Sequence, residues 1–257
     1  MATSSIGHMD MAEIYHLLDS TDLSVLEETT ALVRDNLGSV QEPWLLHGLV
    51  DYFMQSGNII ARNLLCMVRQ HQHKILMNKV DDYLQKVNTR FKALCLFGHI
   101  VRNEPIWTHL IISTRPFQTV LKCLQVDTDL PTITSALYIM ATLLPKVASQ
   151  VCNYLPTLFS IYVRLVSWHT IKPAGANEAN LIHLHTSVYA LFLCLYGMFP
   201  CSFTRFLQQH FQPHNTTSNK GTSEKERARI FENSVQPMLD QVRLHPRLIT
   251  DTHDIEV

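Results

Sequence analysis

Apolar residues recur three or four positions apart through almost the whole chain, and that spacing decides what it can fold into. Ile133, Ala136, Leu137, Met140 and Leu143 fall on one stripe of a helix but on no single face of a strand. Leu23, Leu26, Thr30, Val33 and Leu37 give a second stripe, and Leu76, Val80, Tyr83, Leu84 and Val87 a third. Phe117, Val120, Leu121 and Leu124 follow, with Phe91, Leu94 and Cys95 between, and Phe231, Val235, Met238 and Val242 come last. Strict alternation bounded by Asn-Gly or Asp-Gly turns is not sustained anywhere, so no substantial sheet is predicted.

The helix ends are also written in the sequence. Ser24 and Glu27 have capping-box spacing and Gly38 can close that helix, while Pro43 and Gly57 bracket the next. "VDTD" at 126 to 129 can cap a helix with Pro131 in its first turn, and an apolar helix is expected over roughly 155 to 170. Ser223 and Glu226 repeat the capping-box spacing, and Pro237 should kink the final helix. About a dozen helices on short connections suit stacked antiparallel pairs better than a four-helix bundle. The reading is all-α: one domain over 10–248, disordered ends at 1–9 and 249–257, and polar linkers at 171–178 and 212–223, the latter mobile.

Composition removes several function classes. Only 8 of 257 residues are glycine, and no GxGxxG or Walker-type run occurs, so a nucleotide-cradling loop is not expected. With 21 basic and 22 acidic residues the chain has no bulk field to attract nucleic acid. Six cysteines without a CxxC pair indicate a reducing, cytoplasmic setting and thiols inert in apolar surroundings. No GxSxG elbow is present, and Asp81 with Asp82, or Glu27 with Glu28, are adjacent and splay on a helix as solvated faces, so no enzyme and no cofactor is expected.

"LIHLHTSVYALFLCLYGMFP" at 181 to 200 carries no formal charge. From Leu181 to Phe199 a helix would span about 28 Å, close to the hydrocarbon thickness of a bilayer, so an integral membrane span over 181–199 is one reading. A buried helix fits better, because His183, His185, Thr186 and Ser187 fill its first turns and its neighbours look like soluble amphipathic helices. Val188, Leu191, Phe192 and Leu195 are then core, surrounded on nearly every side. His183 and His185 stand two apart and point away from each other, as do His71 and His73, so no metal site is expected. Arg205, Arg243 and Arg247 are candidates for a phosphate-binding surface.

The stretch "HLHTSVYALFLCLYGMFPCSFTRFL" at 183 to 207 resembles the hamartin family, as do, in order, "LVDYF" at 49 to 53, "LFGHIVR" at 96 to 102, "LKCLQVDTD" at 121 to 129 and "VQPMLDQVRLHP" at 235 to 246. The resemblance implies a HEAT-like α-solenoid at the N-terminal end of a non-catalytic scaffold. It also implies membership of the tuberous sclerosis complex, whose tuberin subunit acts as a GTPase-activating protein on Rheb and restrains growth signalling through the TOR kinase. Family N-terminal domains are linked to phosphoinositides of the lysosomal membrane, which implies a peripheral lysosomal location and a use for Arg205 and Arg243. Family members continue into a long disordered region and a tuberin-engaging coiled coil, so a chain ending at Val257 is expected to be a fragment or a short isoform.

Overall fold

A computed structural model describes residues 9–37, 43–168, 177–211 and 224–243. Among them lie helices α1 (Met11–Leu18), α2 (Leu23–Leu37), α3 (Trp44–Ser56), α4 (Ile59–Cys66), α5 (His73–Leu84), α6 (Val87–Arg102) and α7 (Arg115–Val126). There follow α8 (Leu130–Leu143), α9 (Ala148–Val151), α10 (Leu155–Ser167), α11 (Glu178–Met198), α12 (Pro200–Phe211), α13 (Glu224–Ile230) and α14 (Gln236–Asp240). No strand occurs among the described residues. The expectations for 1–8, Gly38, most of the first linker (171–176), the linker 212–223, Ser223, and 244–257 with Arg247 fall outside them.

The chain divides into two compact units, Met1–Val120 and Leu121–Val257, with the division inside α7. In the first unit helices adjacent in sequence pack on each other, α1 on α2, α3 on α4 and α5 on α6. Leu76, Val80, Leu84, Leu94, Phe97, Phe117 and Val120 are fully buried there. Polar joints tie these helices without leaving buried charge unpaired. Tyr15 stacks on Tyr52 at 4.4 Å and donates to the Gly48 carbonyl, and Tyr83 donates to Asp51, which also pairs with Lys79 at 2.7 Å. Asp81 is buried and accepts from Thr119 and Gln85, so it is not the solvated carboxylate that its sequence position suggested; Asp82 is exposed.

In the second unit α11 packs against α8, α10 and α12. Asp129 caps α8 by accepting from the Thr132 amide at 3.0 Å, and Ile133, Ala136, Leu137, Met140 and Leu143 are completely buried. Arg164, on α10, reaches across to the C-terminal end of α7, where its guanidinium donates to the carbonyls of Leu124, at 2.7 Å, and Asp127. Those carbonyls have no partner within their own helix.

Four local expectations need correction. Asp22 caps α2, accepting from the amides of Ser24 and Val25, because an acceptor one position before the helix reaches its free amides and Ser24 is already inside. Leu23 is 72 % exposed and Val87 75 %, since each begins a helix where no neighbouring helix covers it, and Phe91 is exposed too. The kink expected at Pro237 is corrected only in form, since the last helix runs on without a break and the disturbance lies in the turn before it. A π turn over Phe231–Val235 precedes it, the Gln236 amide bonds the Phe231 carbonyl, and Pro237 falls in the first turn of α14, where its missing amide costs little. The extra residue of that turn makes Ile230, Ser234 and Val235 the buried set.

The fourth concerns α11, which is not covered on every side. Leu184, Val188, Leu191, Phe192 and Leu195 are buried along one face, whereas Ile182, His183, Thr186 and Leu193 face solvent. Length and composition alone would let α11 and the helical run Leu130–Ser167 cross a membrane, a test that the buried helices of a water-soluble core also pass. The one-sided burial gives a sharp expectation. Leu191→Asp, placing a charge where no partner exists, should cost about 4 kcal/mol or more, and Leu193→Asp, at a position 43 % exposed, about 1 kcal/mol at most. Urea denaturation of the two variants checks it.

Candidate interaction surfaces

The second unit carries an aromatic cluster in which Tyr162 meets Phe203 edge-on at 5.1 Å and packs near Phe192, while Phe159 lies against Phe203 and Phe206. The chain after α12 returns to this cluster. Phe211 meets Phe231 at 5.5 Å, the Tyr162 hydroxyl contacts Met238 Sδ at 3.3 Å, and the Tyr196 hydroxyl donates to the Arg243 carbonyl at 3.0 Å. Burial raises the Tyr162 phenol far above its ordinary value, so it acts here as a neutral donor.

Arg205 and Arg243 are both exposed, the first in the middle of α12 and the second just beyond α14, held by the Tyr196 contact to its backbone. Val188, Leu191, Phe192 and Leu195 lie in the interior, so they position this surface and do not form it.

Groups that could carry chemistry are dispersed. No cluster of three or more His, Cys, Asp or Glu suited to a metal ion occurs among the described residues. His73 is buried beside Trp107, with Nδ1 bonded to the Gln70 carbonyl, while His71 is exposed, and His183 faces solvent. None of the six cysteines is in a disulfide. Burial raises the thiol pKa of Cys66 and Cys95, and pushes that of Cys194 up to about 12. At pH 8 a thiol with a pKa near 12 is thiolate in about one molecule in ten thousand.

Two histidines are held in the neutral form. His210, against the rings of Phe206 and Phe211, has its pKa lowered by burial and then by Arg227. His99 has its own lowered by burial, by Arg62, whose Nη1 lies 3.1 Å from its Nε2, and by Arg102. Sequence reasoning missed both, because Arg62 and Arg227 come from other helices and burial depends on how the helices pack.

The profile of the family described as Hamartin, N-terminal domain matches residues 11–257. Mouse and human hamartin are each 36 % identical to the chain over 248 residues, covering 96 % of it and 20 % of the relative, so the chain spans about a fifth of their length. A solved structure titled TSC1 N-terminal domain superposes with a TM-score of 0.76 at 24 % identity, covering 94 % of this chain and 67 % of that one. A second, of the TSC1 N-terminal and linker domains, gives 0.73 at 22 % identity over 94 % and 63 %. At those identities the likeness is one of fold, which is all-α and solenoid-like.

Two outcomes are expected of the titratable groups. In native protein at pH 8, Cys194 should resist iodoacetamide while all six thiols react in urea, read by mass spectrometry of the alkylated peptides. The unfolded chain binds protons at its histidines before the folded chain does. Stability should therefore be full above about pH 6.5 and fall as pH drops from there through the folded values, and the fall in melting temperature should shrink in His210→Phe.

Proposed function

The chain belongs to the hamartin N-terminal domain family, and from that membership we propose that it is a non-catalytic interaction module of a scaffold protein. The match over residues 11–257 carries the reading. The helix stack supports it: many of its polar side chains serve as joints between helices, and the phenol and thiol that burial perturbs most are held neutral at separate places. The scaffold serves in the cytoplasm as part of a tuberous sclerosis complex, supporting a tuberin-like GTPase-activating protein that acts on Rheb and restrains TOR signalling. We place the contacts with tuberin itself outside this chain, which matches about a fifth of the length of hamartin.

A second reading makes the domain a peripheral adaptor on phosphoinositide-bearing lysosomal membrane. Its support is the exposure of Arg205 and Arg243 on one compact unit, beside helices that are themselves well covered. A span through α11 has less support, because its Leu184, Leu191 and Leu195 face is already occupied by helices of the same unit.

Replacing the N-terminal domain of mouse hamartin by this chain should restore restraint of TOR in hamartin-deficient cells, read as phosphorylation of TOR substrates, whereas the same chimera bearing Leu191→Asp should not. A folded chimera that leaves signalling unrestrained would count against the scaffold reading. For the second reading, joint Arg205→Ala and Arg243→Ala substitution should cut co-sedimentation with phosphoinositide vesicles several-fold, as should raised salt. Unchanged binding in both would remove those arginines from the lipid site.

A further inference from the structure

At one end of the first unit, the segment after α4 and the segment after α6 enclose a groove of about 840 Å³, a volume typical of ligand-sized clefts. Its floor is fixed by a cross-link. The buried Trp107 indole donates to the Val68 carbonyl at 2.8 Å, joining two segments that are 39 residues apart. Two of the exposed apolar side chains of this unit line the same hollow. Ile106 is 90 % exposed and Met67 56 %, although each adjoins a residue that is almost completely buried, Trp107 and Val68. Glu104, which opens the second segment, has φ 49, the one left-handed residue other than glycine among those described. A left-handed residue at this position is a common way for a helix to end, here α6, and the chain then runs through Pro105 to Ile106 and Trp107 at the groove.

Behind the ridge Met67–Val68–Arg69 lies a second hollow of about 210 Å³, bordered by Arg34, Asp35 and Gln72. Gln72 is only 6 % exposed, and its Oε1 finds no donor among the described residues. A buried acceptor left without a donor from its own chain is uncommon, and a water or an N–H from a bound peptide can satisfy it. Arg34 and Arg69 are exposed at the edge of the same hollow and form no ion pair among the described residues.

We propose that this groove docks a short segment of a partner protein, with an apolar side chain seated between Met67 and Ile106 and a neighbouring carboxylate paired with Arg69. The proposal rests on the reading of the chain as an interaction module and specifies a surface for it. Each part of the occupant answers one feature of the site. Apolar walls call for an apolar anchor, the Gln72 oxygen for a peptide N–H, and the two guanidiniums for an acidic residue. A flat anionic bilayer matches less well, because Glu104 and Asp35 stand at the borders of the two hollows and would face its charge.

A display library of random short peptides selected on the whole chain supplies the probe, and fluorescence polarisation of the fluorescein-labelled winner measures affinity. Selected peptides should carry an aliphatic or aromatic anchor next to Asp or Glu. Ile106→Asp and Met67→Asp should each weaken the winner about tenfold or more, and Arg69→Glu several-fold, with recovery when the peptide acid is exchanged for Lys. Arg205→Ala should change nothing. The three groove side chains are exposed, so the variants should melt with the wild type, which keeps loss of binding separate from loss of fold.

The proposal is overturned if no peptide is enriched, or if the winner binds these variants as it binds wild type. It is equally overturned if Ile106→Asp abolishes self-association in sedimentation, or vesicle binding, while peptide affinity stays unchanged. Should the groove fail and the hamartin chimera still restrain TOR, the groove is refuted and the scaffold reading stands.

Discussion

The structure depends on covering the apolar face of each helix with another helix. α8 and α11 show this most fully, with Ile133, Leu137 and Met140 on one and Leu184, Leu191 and Leu195 on the other all removed from water. Each large aliphatic side chain so buried contributes roughly 1.5–3 kcal/mol, and the directionless character of that attraction leaves the helix joints to polar contacts. Asp129 at the start of α8, Asn58 at the start of α4 and Arg164 at the end of α7 fix where helices begin and stop. They do so by pairing backbone groups that helix ends leave open.

That economy fits the dispersal of His, Cys, Asp and Glu among the described residues, where no three gather as a metal site would need. The polar atoms inside the stack already serve as joints, Asp51 between Tyr83 and Lys79 and Asp81 between Thr119 and Gln85. Burial, the first cause in every perturbed thiol, phenol and histidine described here, favours the neutral form, and it outweighs even the Arg62 charge that acts on Cys66. What such a fold offers partners is surface. Outer helix faces and the segments between helices are the parts left over once the inner faces are covered.

Much of the helix content was legible because it follows from local spacing. The stripe from Ile133 to Leu143 and the cap at Asp129 could be read directly, since both are settled within a few residues of sequence. Leu23 and Val87 were misread because periodicity continues to the end of a helix and says nothing about where its covering neighbour stops. α11 was read as surrounded because its sequence is apolar nearly all round, yet neighbours cover one side and leave Ile182 and Leu193 in water. Arg205 and Arg243 could be picked out as cations, but exposure and the tether through Tyr196 are properties of the fold. The family came from long ordered stretches such as 183 to 207, which carry far more information than any spacing rule.

The groove was the least legible feature, and the reason is physical. In sequence, Met67 and Ile106 are two apolar residues in two unremarkable connections, and no periodic rule joins them. They become one surface only because the Trp107 indole reaches the Val68 carbonyl and Glu104 holds a left-handed turn. Single exposed apolar side chains are ordinary, as Leu23 and Val87 show, and what sets Met67 and Ile106 apart is that both border one hollow.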